Sequence, residues 1–113
     1  LRPENGAEAP GEGTSEGAIL EDSPEKGPID VYDVIGMMLQ QSIELSWQKL
    51  GLQPDFMTGR IETDLVQAKV MIDVASHLAD TAIPQLDDAD RRTVQNSIRD
   101  LKVNYVQRVG GQS

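Results

Sequence analysis

The chain has 113 residues, enough for one domain, and its nineteen acidic against ten basic side chains leave a net charge of −9. That sign opposes binding to nucleic acid or to an anionic membrane, because those partners carry the same charge. The absence of cysteine excludes disulfides, thiolate nucleophiles and zinc–cysteine sites.

The first 28 residues hold Glu4, Glu8, Glu12, Glu16, Glu21, Asp22 and Glu25 against Arg2 and Lys26, together with five glycines and four prolines. Ile19 and Leu20 are their only large apolar pair. Such a stretch buries too little apolar surface to offset the ordering of its backbone, about 1–2 kcal/mol per residue. A disordered, solvating acidic tail over residues 1–28 is expected, with an acidic interaction tail as the functional alternative. A helical domain over 29–109 and a flexible C-terminus over 110–113 complete the expected organisation.

The first helix is expected to open at Asp30, which can cap its free backbone donors, with Asp33 three residues on. Ile29 and Val34 occupy the positions of a hydrophobic staple. The helix should run to about Leu50 and stop at Gly51, a residue that takes a left-handed backbone cheaply. Pro54 and Thr58-Gly59 mark the connection as turn rather than strand. A second helix is expected from near Thr63 to between Thr81 and Ile83, because Pro84 biases its predecessor away from helix. A third should begin at Asp87 or Asp88 and end before Gly110-Gly111, with Asp87, Asp88 and Asp90 at its dipole-favoured N-terminus. The fold class is therefore all-α: a helical hairpin plus a third helix.

At 100° per residue, Val94, Ile98, Leu101, Tyr105 and Val109 form a stripe about 80° wide on the third helix. The second helix carries a main face of Leu65, Ala68, Met71, Ile72, Ala75, Leu78 and Ala79, and a separate stripe of Val66, Val70 and Val74 with His77 beside it. The first spreads apolar side chains, among them Met38, Leu39, Ile43 and Trp47, over roughly 220° of its surface. That surplus on the first two helices predicts self-association, and Met38, Trp47, Val66, Val70 and Val74 are the expected interface residues. For Trp47 and the adjacent Met37-Met38, core packing competes with a surface that adapts to a different protein.

Leu50-Gly51, Pro54, Thr58-Gly59, Asp64-Leu65, Ala68, Ile72-Asp73, Leu78, Leu86 and Asp100-Leu101-Lys102 followed by Tyr105-Val106 resemble the bacterial domain of unknown function 1844, over Val31 to Gln107. The order and spacing of the whole set carry the likeness, since each motif is short. The chain departs from the family pattern at the second turn, where Asp80-Thr81-Ala82-Ile83-Pro84-Gln85 replaces a basic, glycine-containing segment. The resemblance implies the fold and a bacterial origin, and supplies no catalytic residue.

The residues themselves point to no chemistry. His77 is the only histidine, so a histidine-rich metal site cannot form. Asp73 and His77 have ligand-compatible spacing, but a polar pair flanking an apolar stripe explains them as well. Asp87-Asp88-Ala89-Asp90 lacks the glycine and distal glutamate of a calcium loop, and helix capping accounts for it. Neither nucleotide-binding glycine fingerprint is present, and no nucleophile elbow or Ser-x-x-Lys pattern surrounds the serines. Arg91, Arg92, Arg99, Lys102 and Arg108 make the third helix basic, yet four aspartates interrupt the run and no aromatic side chains are interleaved for stacking bases.

No enzyme activity, cofactor or metal is therefore expected. No apolar run approaches the roughly 18–20 residues that cross a bilayer, and no secretory signal is visible. Both readings favour a cytoplasmic protein without membrane or nucleic-acid partners. The expected role is a non-catalytic, homodimeric helical interaction module. The alternatives are a small metal- or ligand-binding helical protein, or an accessory subunit docking a different chain.

Overall fold

A computed structural model of the protein describes residues 27–112. The chain divides into two units, Leu1–Asp30 and Val31–Ser113. Apart from its last residues, the expected acidic tail lies outside the described residues. The second unit is all-α, as expected: α1 (Val31–Lys49), α2 (Leu65–Ala82), a single 3₁₀ turn (Ile83–Gln85) and α3 (Asp88–Gln112).

α1 ends where its sequence predicts. Gly51 has φ +80°, its N–H donates to the Gln48 carbonyl at 3.0 Å, and the Leu52 N–H donates to the Trp47 carbonyl at 3.1 Å. These two bonds are the paired closures of a Schellman stop, which satisfies carbonyls the helix would otherwise leave open. A side chain could not replace this glycine: a Cβ on Gly51 would collide with the Thr63 side chain as well as strain the left-handed backbone. The connection that follows folds on itself. Asp55 accepts from the Met57 and Thr58 N–H groups at 2.7 and 3.0 Å, and Gly59 turns the chain with φ +72°. The Asp64 N–H then returns to the Lys49 carbonyl at 2.9 Å, and the Asp64 carboxylate caps α2 by accepting from the Gln67 N–H.

At its other end α2 stops at Ala82, within the expected range but not for the expected reason. Ile83, directly before Pro84, keeps a helical backbone (φ −53°, ψ −42°) and donates to the Ala79 carbonyl. Pro84 sits early in the 3₁₀ turn, where its missing N–H costs nothing, and the chain straightens only at Leu86 (φ −96°, ψ 151°). Asp87 then caps α3 by accepting from the Asp90 N–H at 2.8 Å, as the acidic cluster predicts. The expected end of α3 before Gly110 is corrected. The helix continues to Gln112, and neither Gly110 nor Gly111 turns left-handed. Glycine permits such a stop without imposing one.

The core lies along the α1–α2 seam and under the middle of α3. Leu39 and Ile43 of α1, Leu50 just beyond its end, Ala68, Ile72, Ala75 and Ala79 of α2, and Ile98 and Leu101 of α3 form one buried cluster. Trp47, Leu65, Leu78, Ile83, Val94 and Tyr105 pack around it, partly covered. Alternating steps of three and four residues, Ala68, Ile72, Ala75, Ala79, Ala82, hold one face of α2 against the seam. The facing register of α1 includes two buried serines that hydropathy alone passes over. Ser42 donates to the Met38 carbonyl at 2.7 Å and Ser46 to the Ser42 carbonyl at 2.8 Å, so neither hydroxyl enters the core unpaired. α3 crosses back far enough for the Arg108 guanidinium to donate to the Gly51 carbonyl at 3.3 Å. Val109, expected on its packing stripe, remains exposed beyond that point.

Candidate interaction surface

Outside the seam, several large apolar side chains are left uncovered. Val66, Val70 and Val74 fall at four-residue intervals on α2, roughly 160° around the helix from the buried alanine face. They are 78%, 58% and 39% exposed, the value falling as the stripe drifts back toward the seam. Beside them, Val70 and Met71 join Leu45, Lys49 and Gln67 to line a shallow groove of about 310 Å³ between α1 and α2. Leu45 follows Met38 by seven residues, two turns along the same flank of α1, and Met38 is half exposed.

Of the five expected interface residues, the three valines thus share one stripe that adjoins the α1–α2 groove, and Met38 lies on the α1 flank that borders this groove. Trp47 is placed differently. Two positions from Leu45 is 200° around the helix, and Trp47 is partly covered against the core cluster. The groove residues Leu45 and Met71 were visible in the apolar periodicity of their helices but not distinguishable from core. Phe56 and Met57 were not singled out by the sequence at all. They stand 83% and 85% exposed at the tip of the α1–α2 connection, held there by the Asp55 turn and by a 2.9 Å bond from the Phe56 N–H to the Gln48 side chain.

Charge around the stripe is ordered. Lys69 donates to Asp73 at 2.9 Å one turn on, both beside the valines on the flank away from the groove. The bond to Asp73 raises the Lys69 pKa above its ordinary value. In the α1–α2 connection the Thr58 and Met57 N–H groups stabilise the Asp55 carboxylate and lower its pKa. Both groups are exposed, and the shifts express helix and turn bonding rather than a buried reactive centre.

A second groove of about 250 Å³ runs between α2 and α3, lined by Lys69, Ile72, Asp73, Lys102, Tyr105 and Val106. Among the described residues no group of three or more potential metal ligands comes together. Asp73 is held by Lys69 instead, and His77 is exposed one turn further on. No described helix is long and apolar enough to cross a membrane. Comparison with curated proteins and with solved structures gave no match. The family comparison did: the model for the domain of unknown function DUF1844 covers residues 32–107, from the first turn of α1 to the last turns of α3, and the chain belongs to that family.

Proposed function

We propose that this domain is a non-catalytic interaction module that self-associates through the outer face of its α1–α2 hairpin. The observation that carries this reading is the Val66–Val70–Val74 stripe, exposed on the helix surface and adjoining the groove between Leu45 and Met71. Scattered apolar residues on a surface need no explanation, but a contiguous apolar patch is the usual mark of a binding face. Burying a fully exposed valine side chain contributes roughly 1.5–3 kcal/mol, so the exposed parts of three per chain, covered in both copies, contribute several kcal/mol toward association.

Light scattering coupled to gel filtration at tens of micromolar tests the proposal, and a dimer mass is expected. Val70→Asp should weaken that dimer by several kcal/mol, more than a hundredfold in Kd, since it sets an unpaired charge in the covered face. The substituted side chain faces water in the isolated domain, so helicity should be preserved. A monomeric wild-type protein at that concentration would sink the reading.

A further inference from the structure

The proposed self-association surface has a direction. The stripe reads the same both ways about its middle residue: Val66, Val70, Val74. Its charged flank does not, because Lys69 precedes Asp73 along the helix. When two copies of α2 lie antiparallel with Val70 opposite Val70, the same flank of each helix meets its counterpart running the other way. Lys69 of one copy and Asp73 of the other then fall within about 3 Å of each other along the axis, and the reciprocal pair forms by symmetry. A parallel pairing instead sets that charged flank against the flank of Gln67 and Met71, beside which Lys49 of α1 lines the groove, and the reciprocal Lys69–Asp73 pairs do not form.

We infer that a second copy of this chain docks antiparallel on α2, with a two-fold axis at Val70, Val66 facing Val74, and Lys69 paired with Asp73 across the interface. The inference rests on the self-association proposed above and adds its register and polarity. The occupant is a second copy because the stripe is its own reverse and that reversal gives two reciprocal Lys69–Asp73 contacts, against one Lys69–Lys69 approach at the same axial spacing across the two-fold axis. Such an isologous contact closes on itself and stops at two chains. The Lys69–Asp73 bond within each helix becomes part of a four-charge cluster rather than being broken.

The cysteine-free sequence makes the test direct, because one engineered cysteine is the only thiol in these 113 residues. Under mild oxidation Val70→Cys should give a covalent dimer on a non-reducing gel. Val66→Cys alone should not, whereas an equimolar mixture of Val66→Cys with Val74→Cys should. Bridging requires Cα atoms within about 7 Å, so the pattern reports register directly. Cross-linking of Val66→Cys with itself would overturn the antiparallel polarity. A wild-type dimer in scattering with no Val70→Cys cross-link would overturn the proposed face while leaving self-association standing. A wild-type monomer would overturn both. Charge supplies an independent readout. Lys69→Asp and Asp73→Lys should each dimerise at least tenfold more weakly than wild type, and mixing them should restore association as a heterodimer. Unchanged dimerisation of both single variants would overturn the ionic pairing.

Discussion

The two sides of α2 invert the usual order of hydrophobic residues. Its inner side is mostly alanine, with Ala68, Ala75 and Ala79 essentially inaccessible, while its outer side carries three valines that are 78%, 58% and 39% exposed. The buried side of the hairpin mixes these small residues with Leu39, Ile43 and Ile72, and each buried serine hydroxyl of α1 bonds its own helix four residues back. Apolar side chains on the outside of so small a domain make sense as material for a contact rather than as leftover core.

Enlarging the seam should have the greatest effect. Ala75→Leu adds three carbons at a position with no exposed surface and should lower unfolding free energy by about 1–3 kcal/mol, measured by urea titration. A loss below about 0.5 kcal/mol would mean the seam is loosely filled and the contrast between the two sides is overstated. Gly36→Ala, on α1 away from the seam, should stabilise by about 0.5–1 kcal/mol, since a Cβ there meets nothing within 4 Å and the helix gains propensity. A destabilised variant in the same titration would reveal something covering that position. On the outer side, Val66→Leu adds one carbon, and at low protein concentration it should shift stability by no more than about 0.5 kcal/mol. An effect as large as that of Ala75→Leu would make the stripe part of the core. Ser46→Ala should be the mildest, within about 0.5 kcal/mol by thermal melting, because the hydroxyl serves only its own helix and its loss leaves no buried donor unpaired.

The same contrast explains what the sequence made legible. The helices, the Gly51 stop and the Asp87 cap rest on local chemistry within a few residues, and periodicity located the alanine face and the valine stripe. The buried serines escaped because their polarity is cancelled by a bond within the helix, which a hydropathy pattern cannot register. Gly51 and Gly110-Gly111 look alike as sequence. At Gly51 an added Cβ would meet Thr63, and Arg108 reaches its carbonyl, long-range neighbours that the sequence pattern does not show. Trp47 was ambiguous for the same reason: a large aromatic residue on a broad apolar helix serves core or surface according to its neighbours. That the valines form a surplus was readable, while the shape of the groove beside them required α1 and α2 to be placed together.

The bond from Asp64 to Lys49 brings the connection between α1 and α2 back to its starting point. Residues 52–63 thus form a closed excursion beyond the buried Leu50, and their number is nearly independent of the packing beneath them. For a loop closed in this way the entropic cost rises only logarithmically, about 0.6 kcal/mol for each doubling of its length. A short peptide tag or fluorophore-bearing segment inserted near Gly59 would therefore be carried at little expense to the helices, placing a reporter within the domain while both of its ends remain free.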